Sequence, residues 1–323
     1  TPSAQDPAAP LATSVVQADV RDVSGTAELA KRCAAISFEN EWVDLDGLAA
    51  LATSGVAFVP SLDALRPLVC KRSQRELLQR LNLPSPRWFP LEQVKAELAD
   101  RQAAAAAAQA REGSQGGGAS DGPGYGGAPS PSGSSGDGSG AGGSAPIDRH
   151  TLPNGFTYPV MAKAASGGYD GRGTAVLHTD DDLDELLGRV DPASWIVEEF
   201  VNFEQELAVV AARDAEGEVV VFPLVQTHQH GQVCDWVLAP VEASHALEQA
   251  VRNIAASLLT SLQYVGVLAI EFFYGRGGLL INELAPRTHN SGHYSIEACN
   301  LSQFEQQLRV VAGQTAQEPD LVV

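Results

Sequence analysis

The chain has 323 residues, with 40 Asp plus Glu against 21 Lys plus Arg, a formal net charge of −19 and 44% hydrophobic residues. That apolar fraction excludes wholesale disorder, and the length suggests about two domains. The acidity excludes duplex nucleic acid as a partner, because no basic run could neutralise a phosphate backbone. No apolar stretch approaches the ~18 residues that a membrane span needs.

In chain order, Ser14 to Val20 and Ala34 to Phe38 are expected as strands, with a helix over Ala27 to Cys33 between them. Leu62 to Leu83 carries apolar residues at helical spacing and is expected as one helix that stops at Pro84, its basic residues on another face. A helix is expected to run on from Glu92 to Ala110. Poly-Ala and then Gly/Ser/Pro follow from about 102 to 146, where 14 of the 31 glycines lie between Gly113 and Gly143. Such a composition cannot offset the entropy of ordering, so a disordered insert is expected there.

Beyond it, strands are expected around Tyr158 to Ala164, Trp195 to Phe200, Leu207 to Arg213 and Val219 to Gln226. A helix over Ala243 to Leu262 precedes strands Val265 to Tyr274 and Leu279 to Leu284, and a last helix covers Ser302 to Ala312. Strands interleaved with helices, several in antiparallel pairs, indicate an α+β or mixed α/β architecture. The four cysteines, Cys33, Cys70, Cys234 and Cys299, share no metal-type spacing. They point to a reducing compartment without a disulfide framework or a zinc site. With no leader-like segment at its start, the chain is expected to be a soluble piece of a longer protein.

Four constellations carry chemistry. Lys163 ends a strand and feeds a loop containing Gly167, Gly168, Tyr169, Asp170, Gly171, Arg172 and Gly173. Glycines let backbone N–H groups approach phosphate oxygens while Lys and Arg neutralise charge. A glycine-dependent hairpin turn is the competing reading. Next, Glu198, Glu199, Phe200 and Val201 end an apolar strand, with Glu204 and Glu206 close behind. A solvated strand end accounts for any one of these acids; the alternative is backbone pairing with an adenine edge and ribose hydroxyls held by Glu206.

Glu271 interrupts one apolar strand and Asn282-Glu283 the next. Carboxylates there are costly unless paired or metal-bound, and two of them with an amide oxygen suit Mg²⁺. A four-residue loop over 275–278 would put Glu271 opposite Asn282, whereas a longer loop or a bulge puts it opposite Glu283 on one face. The second arrangement is expected. Finally, Arg287, Thr288, His289, Asn290, Ser291 and His293 crowd the following loop, with groups able to hold an oxyanion.

The runs 167–173 (Gly-Gly-Tyr-Asp-Gly-Arg-Gly) and 281–293 (Ile-Asn-Glu-Leu-Ala-Pro-Arg-Thr-His-Asn-Ser-Gly-His), with Ser302-Gln303-Phe304-Glu305, carry a resemblance. Outside the insert, nearly the whole chain is similar to the 5-(carboxyamino)imidazole ribonucleotide synthetases of purine biosynthesis, a group of ATP-grasp enzymes. Plants and fungi fuse this module to a mutase in phosphoribosylaminoimidazole carboxylase. The resemblance implies an ATP-grasp fold over 61–315 interrupted by the insert, a partial Rossmann-like domain over 1–60, and the start of a further domain at 316–323. It implies ATP and Mg²⁺ as cofactors and 5-aminoimidazole ribonucleotide and bicarbonate as substrates. A homodimer and a fused or separate mutase are compatible with it, as is a cytoplasmic or plastid stromal location.

By the same resemblance, Lys71, Lys163 and the loop glycines 168, 171 and 173 meet ATP phosphates, Glu198 to Val201 the adenine, and Glu206 the ribose. His228 also faces the nucleotide, and Glu271 and Glu283 hold magnesium with Asn282. Arg287, His289 and Asn290 act on bicarbonate and carboxyphosphate. Tyr169, Asp170, Arg172 and Glu41 or Glu39 reach the ribonucleotide. The departures are Cys70, where the family carries Asp, and the missing glycine-rich opening and basic C-terminal part. Another ATP-grasp ligase, such as a biotin carboxylase relative, and a non-catalytic nucleotide-binding fragment are the alternatives.

Overall fold

A computed structural model describes residues 1–94, 152–167, 173–231 and 233–322. The expected insert over 102–146, and the expected helix beyond residue 94, lie outside the described residues.

Two short helices begin the chain, α1 (Val23–Ala30) and α2 (Leu45–Thr53), each started by an aspartate. Asp22 accepts from the Ser24 N–H and Asp44 from the Gly47 N–H, so each satisfies an orphan donor of the first turn. This cap sets the first helix four residues earlier than its apolar pattern implied. The strands expected at 14–20 and 34–38 do not form. Residues 14–20 make two backbone hydrogen bonds to Thr1 and one from the Gln17 side chain to the Pro2 carbonyl, and Ile36 makes a single parallel bridge to Phe58. A ladder needs a longer neighbour than either segment meets. Ile36, Leu45, Leu48, Phe58, Leu62 and Leu65 bury themselves together instead.

The long helix expected over 62–83 is broken. Helix α3 (Leu62–Leu65) passes into a 3-10 turn at Arg66–Leu68, Cys70 is extended, and α4 (Lys71–Arg80) restarts. Pro67 lacks the N–H that an α-helix would need there, so the first helix cannot continue.

One sheet has four antiparallel strands in the order β1 (Trp88–Pro90), β4 (Trp195–Glu199), β2 (Val160–Ala164) and β3 (Thr174–Leu177). Helix α5 (Asp180–Arg189) buries Leu183 and Leu186 against it and starts with a capping box between Thr179 and Asp182. Neither β3 nor α5 was anticipated, because a four-residue strand and three consecutive aspartates give almost no periodic signal.

The second sheet runs β10 (Gly278–Ala285), β9 (Gly266–Gly275), β5 (Gln205–Arg213), β7 (Val225–His230) and β8 (Val233–Leu238), with β6 (Val219–Val221) paired to the end of β5. The single strand expected over 219–226 is two strands, since Pro223 cannot donate to the ladder. Helix α6 (His245–Ser261) lays Val251, Ala255, Leu258 and Leu259 on one sheet face, against Leu207, Val209, Leu268, Ile270 and Phe272. The other face carries Val210, Ala212, Val267 and Ala269 below, and carboxylates above. Helix α8 (Gln303–Val311) follows a one-turn α7 (Ser295–Ala298).

Strand β10 is an edge strand, and its outer backbone groups are taken up by side chains of α4. The buried Gln74 carboxamide accepts from the Leu284 N–H at 3.1 Å and donates to the Leu284 carbonyl at 2.8 Å, as a neighbouring strand would. It also donates to the Leu68 carbonyl at 2.7 Å. The Ile281 N–H reaches the Pro84 carbonyl at 2.8 Å. An edge covered in this way is closed to other strands and holds its register. Replacing Gln74 with Leu would orphan a buried N–H and two carbonyls. Urea denaturation of Gln74→Leu is expected to show a loss of about 2–3 kcal/mol.

Candidate active site

The site forms where the ends of β2 and β4 meet the bulge of β10. Lys163 is opposite Ile196, which puts its side chain diagonal to Glu198 on one face of the four-stranded sheet. Glu198 is 1% exposed, and each of its oxygens has a cation: Lys163 Nζ at 2.8 Å and Arg75 Nε at 2.6 Å. Burial alone would raise the Glu198 pKa, but Lys163 and Arg75 outweigh it and hold the carboxyl down to about 2. Burial lowers the Lys163 pKa, and the nearby Arg75 and Lys71 charges add to this against the pull of Glu198.

On β10 the pairing runs Leu280 with Phe273 and Ile281 with Phe272, then shifts so that Glu283 is opposite Glu271. Asn282 is the extra residue of a bulge, and its insertion brings both carboxylates to one face, the register expected from the sequence. The Asn282 side chain bridges the site: Oδ1 accepts from Lys163 at 3.0 Å and Nδ2 donates to Glu271 at 3.5 Å. Glu283 is paired with Lys71 at 2.5 Å, and burial, which opposes ionisation, is outweighed by Lys71 so that its pKa falls. His289 Nε2 is 3.6 Å from the other Glu271 oxygen. Lysines 71 and 163, Glu198, Glu271, Asn282, Glu283 and His289 thus form one connected group.

Among the described residues, no three His, Cys, Asp or Glu side chains gather closely enough to hold a metal by themselves. A pair of facing carboxylates beside an amide oxygen nonetheless fits Mg²⁺, which is commonly held by one or two carboxylates while substrate phosphates and water supply its other oxygens.

Glu206 lies on the same face of β5, opposite Phe273 and one alternation from Ala208, the partner of Glu271. Burial, and then the Glu271 charge, push its pKa up to about 7. The remaining sequence candidates are placed less centrally. Glu199 holds the Arg87 backbone N–H and guanidinium, both at 2.8 Å, and Phe200 and Val201 follow at the exposed end of β4. His228 stacks on Trp236 with ring centroids 4.9 Å apart. Asn290 is exposed in a 3-10 turn, and Gly173, at φ +85°, accepts the Ala164 N–H at 2.7 Å. Gly168, Tyr169, Asp170, Gly171 and Arg172 lie outside the described residues.

Arg287 donates through Nε to Glu41 at 2.7 Å, so an N-terminal residue reaches the loop after β10, while Glu39 is exposed. The fully buried Gln303 fixes the neighbouring His289: its carboxamide accepts the His289 N–H at 3.0 Å and donates to the His289 carbonyl at 2.7 Å.

Sequence reading missed Arg75, Gln74 and the role of Gln303. Arg75 is 2% exposed, contrary to the expectation that the basic residues of this helix face away from its apolar side. Its only sequence signal is its place in the apolar stripe, seven residues after Leu68 and three before Leu78.

An ATP-grasp domain model matches residues 148–304. The N5-carboxyaminoimidazole ribonucleotide synthase of Synechocystis sp. is 39% identical over 98% of this chain, which spans 69% of that protein. The phosphoribosylaminoimidazole carboxylase of Schizosaccharomyces pombe is 29% identical over 92% of this chain and 45% of its own length. Among solved structures, the Aspergillus clavatus N5-carboxyaminoimidazole synthase in complex with ADP and 5-aminoimidazole ribonucleotide superposes with a TM-score of 0.71 at 26% identity, over 97% of this chain and 69% of that one.

Two stability measurements test the site. Removing Glu198 strands two buried cations, and Glu198→Ala is expected to cost about 3–5 kcal/mol in chemical denaturation. Glu206 has a raised carboxyl pKa, so its contribution is favourable at low pH and is lost as pH rises from its unfolded value through about 7. The melting temperature of Glu206→Gln should therefore gain on that of the wild type between about pH 5 and about pH 8. A constant gap across that range would contradict the assignment.

Proposed function

The chain belongs to the N5-carboxyaminoimidazole ribonucleotide synthase family of ATP-grasp enzymes, and from that premise we propose that it carboxylates 5-aminoimidazole ribonucleotide at the expense of ATP and bicarbonate. The observation that carries this reading is the opposition of Glu271 and Glu283 across the Asn282 bulge, beside the two lysines 71 and 163.

A bicarbonate oxygen attacks the γ-phosphorus of ATP, the bond to ADP breaks, and carboxyphosphate forms. The exocyclic amine of the ribonucleotide then attacks the carboxyl carbon. A C–N bond forms, inorganic phosphate leaves, and the amine gives up a proton. Lys163 and Lys71 present positive charge to the transferred phosphoryl group, where it is worth most in a partly buried site. Asn282 and Glu198 hold Lys163 in place, and Glu271 and Glu283 would hold Mg²⁺. When bound, that ion would neutralise charge on the nucleotide phosphates.

The end of β4, from Glu198 to Val201, takes the adenine, Glu206 the ribose, and His228 on its Trp236 platform borders the nucleotide. Arg287, His289 and Asn290 orient bicarbonate and stabilise carboxyphosphate, with the His289 backbone fixed by Gln303. Gly168, Gly171 and Gly173 serve the phosphates, and Tyr169, Asp170 and Arg172 with Glu41 receive the ribonucleotide. Exclusion of water from the site protects the labile mixed anhydride from hydrolysis.

The same proposal divides the chain at residues 60 and 315 into part of a pre-ATP-grasp domain, the ATP-grasp domain, and the start of a third. Its similarity to the S. pombe carboxylase supports a mutase as fused or separate partner. A homodimer in the cytoplasm or plastid stroma completes the reading. No helix among the described residues is long and apolar enough to cross a membrane.

ADP release in the presence of bicarbonate should rise when 5-aminoimidazole ribonucleotide is added. Glu283→Ala should lower it by at least about a hundredfold with the circular dichroism spectrum unchanged. Undiminished ADP release from that variant would refute the metal assignment.

A further inference from the structure

Arg75 lies behind the site and reaches both sheets. Its Nε donates to Glu198 on β4 at 2.6 Å. Its Nη2 donates to the Asn282 carbonyl at 2.6 Å and its Nη1 to the Ile281 carbonyl at 3.3 Å, the two carbonyls at the β10 bulge. Lys163 is held by Glu198 and by the Asn282 side chain. Both partners of this lysine are therefore themselves held by one guanidinium.

A bulge leaves an unpaired residue and a weakened ladder, so its conformation needs support from outside the strand. A planar fork presents its N–H donors in fixed directions to a carboxylate and two carbonyls at once; an ammonium at the same place is a compact charge with three donors on a flexible stem. The neighbouring Gln74 fixes Leu284 in the same manner, so consecutive residues of α4 fix the two sides of Glu283.

We infer that Arg75 is a positioning residue: by clamping Glu198 and the carbonyls of the Asn282 bulge, it sets the Lys163 amine and the Glu283 carboxylate toward the nucleotide phosphates. This rests on the nucleotide reading above, and two measurements separate the failure of one from the failure of the other.

The first is ADP affinity with magnesium, by calorimetry, for the wild type, Arg75→Lys and Arg75→Met, with Val251→Ala on α6 as a destabilised control far from the site. The second, on the ligand-free chain, is amide hydrogen exchange across 280–285 and 161–165. Loss of such an outer partner commonly weakens a site by about 10–100-fold. Arg75→Met should bind ADP at least about tenfold more weakly, Arg75→Lys should fall between it and the wild type, and Val251→Ala should match the wild type. Exchange over 280–285 should accelerate in Arg75→Met and not in the control.

Should Arg75→Met fail to fold, Arg75→Lys retains the charge and decides on the same two readouts. Wild-type ADP affinity in a folded Arg75 variant overturns the inference. If the wild type itself binds no ADP, the nucleotide reading fails, and exchange over 280–285 that is unchanged in the variants then overturns the clamp as well.

Discussion

A buried carboxylate with two cations is stable only if every partner stays in place, and the candidate site is arranged around one such group. Glu198 would be prohibitively costly at 1% exposure without Lys163 and Arg75. With them, it fixes the lysine that projects from β2 and ties the four-stranded sheet to helix α4. From α4 the same guanidinium continues to the bulge of β10. Removal of one of the three charged groups would therefore disturb elements that are distant in sequence, because the geometry of each is set by the other two.

The bulge at Asn282 converts this structural cluster into a chemical site. Along most of β9 and β10 the two sheet faces alternate in the ordinary way, with Ile270, Phe272 and Ile281 packed beneath α6. One added residue breaks the alternation and sends Glu283 to the side of Glu271, where an apolar face turns into an acidic one. The two lysines balance that acidity before any ligand arrives. Glu206, which has no such cation among the described residues, has its pKa raised instead, by burial and then by the Glu271 charge.

Much of this was legible in the sequence because it depends on local pattern. Glu271 and Asn282-Glu283 stand out as charges within apolar runs, and period-two alternation makes their opposition a question of register alone. The crowded polar loop from Arg287 to His293 was visible for the same reason. What could not be read depends on packing between remote segments. Apart from its helical spacing from Leu68 and Leu78, nothing near Arg75 in sequence announces that a helical arginine will be buried, since its three acceptors come from residues more than a hundred positions away. The break at Pro67 and the split at Pro223 were readable in principle, but apolar periodicity across both prolines suggested continuous elements. The strands expected near the N-terminus failed for a different reason: their composition suits a strand, but no adequate neighbour pairs with them.

The placement of Arg75 and Lys163 also limits how the two sheets can move. Both side chains cross from one sheet to the other, Arg75 by way of Glu198 and the Asn282 carbonyl, and Lys163 by way of Glu198 and the Asn282 amide. Sliding of one sheet past the other would break several of these short bonds at once, so a relative movement of the sheets that keeps them has to turn about the cluster.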